Sequence, residues 1–381
     1  MSTKSKGKPD LETVQNTEKP IESSRPSSLN QTVICVGEYP IKILLRGNLT
    51  EKKEKPLPIL IDKSSKDIAK WSQTTVDSDN ILGLDMNIDK HFWYQVLPSV
   101  TGNSSLINRL KTKPIGNPGG AVVVSSLWDG VGSALLPALI SQFKEWNLNS
   151  VAFGVLPSKI QTADVHFNAF SSLGMCISKD FTSILLLDRD RLERYVGVNR
   201  NGSVLKGNNI INYILELITA KETFVQELSE MSRAFSVRMY TILSATGASL
   251  QIYGSLENIL NTALSEPLLA FDLSTASLLY VLLRMPARLK NKLPQEKIEL
   301  AIASWIEQKA NFKSIYVSEP IYETDGNDRI DIVMFVGGFD ASKMLSAMEK
   351  KVSGIKKQAI KQGSIKAEEW KKIVDSLVVT E

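Results

Sequence analysis

The chain has 381 residues, 43% of them apolar and 23% charged, with a formal net charge of +4 at neutral pH. That length can hold two domains and bury a sizeable core, and the composition is that of an ordinary soluble globule. The charge is small and spread along the chain, so it gives no footprint for nucleic acid or for an anionic membrane surface.

Two cysteines, Cys35 and Cys176, make neither a disulfide framework nor a zinc site. The N-terminus is polar and lacks the apolar core of a signal peptide, and no stretch reaches the roughly 18–20 apolar residues that span a bilayer. The expectation is a cytoplasmic protein with no transmembrane segment. The two histidines, His91 and His166, are far apart in sequence. Imidazole-based metal or triad chemistry is therefore not expected, and any catalysis must use carboxylates, amides or backbone.

Residues 1–30 mix Lys, Glu, Ser, Pro and Thr with almost no large apolar side chains, and read as a disordered tail. Residues 32–37, Thr-Val-Ile-Cys-Val-Gly, form a β-branched run that closes on glycine, as a buried parallel strand does on meeting a functional loop. Residues 58–62, 121–124, 150–155 and 183–188 repeat the pattern, with helical spacing between most of them. This predicts an α/β, Rossmann-like parallel sheet over residues 31–206, with its functional loops at the carboxyl ends of the strands. Residues 208–219 place Ile210, Ile211, Ile214, Leu215, Leu217 and Ile218 at the spacing of a well-buried helix, read as a central connecting helix within 207–224.

Residues 225–340 read as a second, α+β domain. Helical segments are expected around 229–244 and 255–264, a strand at 277–283 and a helix at 295–310. Strands at 314–317 and 329–336 follow, separated by the turn Asp325-Gly326-Asn327-Asp328. Residues 341–381 are Lys-rich, with Met344, Leu345, Met348, Val352 and Ile355 at helical spacing. Such a basic helical extension packs on its own domain, serves as an amphipathic contact for a partner or membrane, or stays disordered.

Several motifs, in order, resemble the FtsZ/tubulin superfamily. Ala263-Leu264-Ser265-Glu266-Pro267-Leu268-Leu269, then Phe271-Asp272-Leu273-Ser274 and an apolar strand, is similar to an FtsZ segment. Ala245-Thr246-Gly247-Ala248-Ser249 resembles that family's Gly-x-Gly-x-Ala-Ser loop. Gly154-Val155-Leu156-Pro157-Ser158-Lys159 resembles a tubulin turn, and Phe167-Asn168-Ala169 stands for its Tyr-Asn-Ala. Asp188-Arg189-Asp190-Arg191-Leu192 resembles the turn after the next strand. The chain is identified as a divergent member, with the resemblance covering residues 32–340.

The resemblance implies a guanine nucleotide, GTP or GDP, at Gly37, Gly130, Gly132, Ser133, Asn168 and Asn208. A glycine-rich loop before a helix cradles phosphates because its N–H groups converge and the helix dipole favours negative charge. Here the loop reads Ser125-Ser126-Leu127-Trp128-Asp129-Gly130-Val131-Gly132-Ser133. Trp128 adds bulk where the family keeps glycine, and Asp129 puts a carboxylate where phosphate charge is expected. A bridging Mg²⁺ would reverse that repulsion. In place of the family's multi-glycine first loop the chain has Gly37-Glu38-Tyr39-Pro40-Ile41-Lys42. Gly130 and Gly132 equally fit a tight strand-to-helix turn with no ligand.

The family's hydrolytic acids fall on Glu227 and Glu230 of Val225-Gln226-Glu227-Leu228-Ser229-Glu230, which also reads as a solvated helix face. With the first acid longer by a methylene and the family's asparagine replaced by Val225, GTP hydrolysis is expected to be slow or absent. The resemblance thus implies a cytoskeletal protein of GTPase ancestry that self-associates head to tail into filaments. The alternative is a nucleotide-free pseudo-GTPase that scaffolds or regulates other cytoskeletal or division proteins.

Overall fold

The computed structural model describes residues 31–47, 58–72, 76–85, 90–113, 115, 119–178, 182–324 and 326–378. The predicted tail of residues 1–30 and Asp325 of the predicted turn lie outside these.

The first half alternates strands and helices: β1 (Thr32–Val36), α1 (Glu38–Leu44), β2 (Ile59–Asp62), α2 (Ser65–Ser72), β3 (Ile81–Gly83), α3 (Trp93–Thr101), α4 (Ser104–Lys111), β4 (Ala121–Ser126), α5 (Gly130–Glu145), β5 (Ser150–Leu156), α6 (Ala163–Ile177), β6 (Ser183–Asp188) and α7 (Arg189–Arg194). A small hairpin, β7 (Val196–Val198) and β8 (Val204–Lys206), leads into α8 (Asn209–Ala220) and α9 (Phe224–Phe235). The second half runs β9 (Met239–Ser249), α10 (Leu250–Tyr253), α11 (Leu256–Ser265), β10 (Leu278–Pro286), α12 (Gln295–Glu307), β11 (Ser314–Val317), β12 (Ile321–Glu323) and β13 (Arg329–Gly337). Two helices close the chain, α13 (Ser342–Lys361) and α14 (Ala367–Val378).

The main sheet has the order β11-β10-β13-β9-β6-β5-β4-β1-β2-β3, with β12 also on β10. From β3 to β6 neighbours are parallel, and Ile184 and Leu185 of β6 pair in parallel with Met239 and Tyr240 of β9. That pairing carries one sheet from the first predicted domain into the second. Beyond it, β9–β13 and β13–β10 are antiparallel.

Strand alternation divides the core in two. Ile34 and Val36 of β1 face one apolar cluster, with Trp93, Leu135 and Phe167 of the helices on that side. Val33 and Cys35 face the other, with Ile41, Ile210, Ile214 and Leu228. Both faces of the parallel strands are covered, which explains why the strands are apolar throughout rather than alternating.

Two local expectations differ from the structure. The residues after Gly37, expected as a loop, form α1 directly: Pro40 lies in its first turn, where a missing N–H breaks no helical bond. Residues 239–244, expected as the end of a helix, and the loop-like 245–249 together form the buried strand β9. Helix α9 stops at Phe235, with Ser236 at φ 56°, and the β-branched and aromatic Tyr240, Thr241 and Ile242 then fit a strand buried on both faces. The register shift between Ile330 and Ile332 opposite Ala245–Ala248 places a bulge at Thr246 and Gly247, the source of the loop-like sequence. The C-terminal extension packs on the first half of the chain, with α13 and α14 both lying on α6.

Candidate functional site

The parallel strands end together at a cleft of about 370 Å³. Each wall comes from the residues just past a strand: Glu38 and Tyr39 after β1, Asp62 and Lys63 at the end of β2, Trp128–Val131 after β4, and Arg189 after β6. Asn208, preceding α8, closes one side. This is where ligands sit in open α/β sheets.

At the centre is the start of α5. Asp129 is its N-cap, and Asp129 Oδ1 accepts a hydrogen bond from the Gly132 N–H at 2.6 Å. The hydroxyl of Ser126 donates to Asp129 Oδ2, and the hydroxyl of Ser133 to the Asp129 carbonyl. Two glycines make this packing feasible. Gly37 has φ 87°, and a Cβ there would lie 3.4 Å from Asp129 Oδ2; a Cβ on Gly132 would stand 2.2 Å from the Ser126 carbonyl oxygen. Enclosure raises the pKa of the Asp129 carboxyl, while the Gly132 N–H and the Ser126 hydroxyl pull it back down.

Asp62 lies across the cleft, 3% exposed. Burial pushes its pKa up to about 6, assisted by the charges of Asp129 and Glu38 and opposed by the hydrogen bond from the Lys63 N–H. Cations offset these acids at the rim: Lys42 pairs with Glu38, and Lys63, Lys90 and Arg46 also line the cleft. The Arg189 guanidinium lies over the Trp128 ring at 5.1 Å and bonds Glu193 at 2.8 Å. Trp128 and Tyr39 meet edge to face with centroids 4.5 Å apart, and the Tyr39 hydroxyl donates to Asn208 Oδ1 at 2.8 Å.

The structure therefore brings Gly37, Gly130, Gly132, Ser133 and Asn208 to one place. Asn168 lies behind the cleft, fully buried. Its Nδ2 donates to the carbonyls of His91 at 2.9 Å and Trp128 at 3.1 Å, while its Oδ1 accepts from the Trp93 N–H at 3.1 Å. It ties the loop after β4 to the segment entering α3. Glu38, Tyr39, Asp62 and Arg189 join the site without being expected as binding residues; each lies at or within two residues of the carboxyl end of a predicted strand, and that position is the signal that points to them.

Glu227 and Glu230 sit at the other end of the sheet. Gln31, before β1, donates to the Lys221 carbonyl at 2.5 Å, and Arg233 of α9 reaches Asn149, before β5, at 2.9 Å. Helix α9 is thus at the amino ends of the strands whose carboxyl ends form the cleft. Glu227 accepts from Tyr280 Oη and Thr223 Oγ1, both at 2.6 Å, with Lys221 at 3.9 Å. Glu230 is exposed and meets Gln226 at 2.9 Å.

A guanine nucleotide is the cofactor that the sequence motifs imply. The N–H of Gly132, which would receive a phosphate, already has an internal carboxylate, so the start of α5 does not fit a phosphate as it stands. Among the described residues no group of three or more His, Cys, Asp or Glu side chains is arranged to hold a metal ion, and no helix is long and apolar enough to cross a membrane.

No family model and no curated protein matches the chain. Solved structures do. CetZ from Methanosaeta thermophila strain DSM 6194 aligns with a TM-score of 0.67 at 15% identity, over 92% of this chain and 98% of that one. CetZ1 from Haloferax volcanii, solved as a GDP-bound monomer, aligns with a TM-score of 0.67 at 16% identity, over 86% and 99% respectively. The chain has the FtsZ/tubulin superfamily fold, the fold that its motifs imply.

Proposed function

We propose that this is an FtsZ/tubulin-like cytoskeletal protein of the cytoplasm that assembles head to tail, with guanine-nucleotide binding and hydrolysis weak or lost. One observation carries the reading: the cleft and helix α9 lie at opposite ends of the same strands. Stacking copies by translation then sets the α9 end of one subunit over the cleft of the next, a heterologous contact that propagates as a filament. Light scattering and negative-stain microscopy with and without GTP test it. Filaments under either condition are expected, and absence of polymer across salt and pH would overturn it.

The bond between Asp129 and Gly132 favours a second reading, a nucleotide-free pseudo-GTPase that scaffolds another cytoskeletal or division protein. Titration with fluorescent GTP and Mg²⁺ separates the two. Saturable binding that promotes polymer supports the first; no binding and no polymer supports the second.

A further inference from the structure

A second cavity, of about 390 Å³, lies between the loop after β5, the start of α6 and helix α13. Its volume is within the range of small-molecule sites. Leu156, Pro157 and Leu269 form an apolar floor, and Met344 and Met348 of α13 form the opposite wall. Methionine side chains suit such a wall because they adapt to the shape of what they touch.

Three lysines, Lys159, Lys343 and Lys351, line the same cavity. One of them is tied back, with Lys351 Nζ donating to the Lys159 carbonyl at 2.8 Å. The single acid of the lining, Asp188, accepts the Asp190 N–H at 2.8 Å as the N-cap of α7. Among the lining side chains lysines thus outnumber acids three to one beside an apolar floor, with Asp190 just outside accepting the Lys159 N–H at 3.0 Å.

His166 also lines it, on the first turns of α6. The residue is 6% exposed; the Ser158 backbone lies close to one side of its ring, and neither nitrogen has a hydrogen-bond partner of good geometry. A buried imidazole with at least one nitrogen left unpaired carries a desolvation cost that is only partly offset. An oxygen-bearing group in the cavity would relieve it.

We propose that this cavity binds a small amphipathic anion, an acidic headgroup on a compact apolar body, with the body between Met344, Met348 and Leu269 and the headgroup among Lys343, Lys351 and His166. Because α13 follows the last strand of the second half and α6 belongs to the first, such a ligand bridges the two halves of the chain. The site shares no lining residue with the cleft at α5 and does not depend on the assignment of that cleft.

Anilinonaphthalene sulfonate is a suitable probe, and phenylnaphthylamine, the same apolar body without the anion, is its control. The sulfonate is expected to bind with one site per chain, and Lys343→Glu or the pair Lys343→Glu and Lys351→Glu to weaken it about tenfold or more without weakening the neutral control. Ala347→Trp, on the exposed lip of the cavity, is expected to abolish binding of both compounds. The chain has two histidines, so labelled-histidine NMR reads the site directly. The His166 resonance is expected to move on titration and that of His91 to stay. Loss of the fold in any variant is read from circular dichroism, and the titration of the unaltered protein by NMR does not depend on a variant. Absence of binding, charge-independent binding, or an unmoved His166 signal would each overturn the proposal.

Discussion

The carboxylate of Asp129 accepts the N–H of Gly132 at 2.6 Å and so occupies the donor that an anion at the start of α5 would use. The group that opposes a phosphate by charge is also the cap of the helix, which ties stability and ligand exclusion to one side chain. Asp129→Ala is therefore expected to cost about 1 kcal/mol in urea unfolding, and Asp129→Gly only a few tenths, the usual range for loss of an N-cap. Asp129→Gly frees the donor and removes the charge, so it is expected to raise affinity for fluorescent GTP by about tenfold or more. Equal affinity in parent and variant would show that this carboxylate is not what keeps a phosphate out.

Asp62 supplies a pH dependence whose sign is fixed by its raised pKa of about 6. Below about pH 4 the group is protonated folded and unfolded alike; between about pH 4 and pH 6 the folded chain holds the proton more tightly, so stability falls as pH rises through that window. A shift of roughly two units corresponds to ~2–3 kcal/mol, a loss that is complete at neutral pH. Asp62→Asn is expected to be more stable than the parent by up to that amount at about pH 7.5, and equal to it at about pH 4. Urea unfolding at the two pH values checks this, and an equal gain at both would rule out ionisation as the cause.

The parallel half of the sheet was legible because its strands are buried on both faces, so runs such as Val122-Val123-Val124 carry no polar residue to confuse them. Strand β9 was not, since its bulge at Thr246 and Gly247 places glycine and small residues where a loop is expected. At the site, Gly130 and Gly132 announce themselves by spacing, but the approach of Gly37 to Asp129 does not, since the two are far apart in sequence and meet only through the pairing of β1 with β4. Asn168 is the same case: nothing local says that its amide is directed to the carbonyls of His91 and Trp128.

The two acids of α9 are expected to separate in mutagenesis. Glu227 accepts the Tyr280 hydroxyl at 2.6 Å, and Tyr280 is fully buried, so Glu227→Ala leaves a phenol without its acceptor. That costs about 1–3 kcal/mol. Glu230 is exposed and its carboxylate accepts from the exposed Gln226, and Glu230→Ala is expected to stay within about 0.5 kcal/mol of the parent. Equal unfolding midpoints for the two variants would remove the structural role assigned to Glu227.

The central helix is held to the second half of the sheet by a buried polar cluster. Asp331 is 0% exposed and accepts from Arg284 Nε at 2.8 Å, from Tyr213 Oη at 3.0 Å and from the Gly247 N–H at 2.7 Å. A buried pair repays its desolvation only while all its members are present. Asp331→Ala, which strands the Arg284 guanidinium, is accordingly expected to cost about 3–5 kcal/mol. Arg284→Met leaves the Asp331 carboxylate buried and is expected to cost as much, whereas the double variant Asp331→Ala with Arg284→Met removes both charges together. Its loss is expected to fall well short of the sum of the single losses, since neither member of the buried pair is left alone and only the partly exposed Glu216, 4.0 Å from Arg284, loses a cation. A double-mutant cycle in urea measures the difference, and strict additivity would mean that the two charges do not stabilise each other.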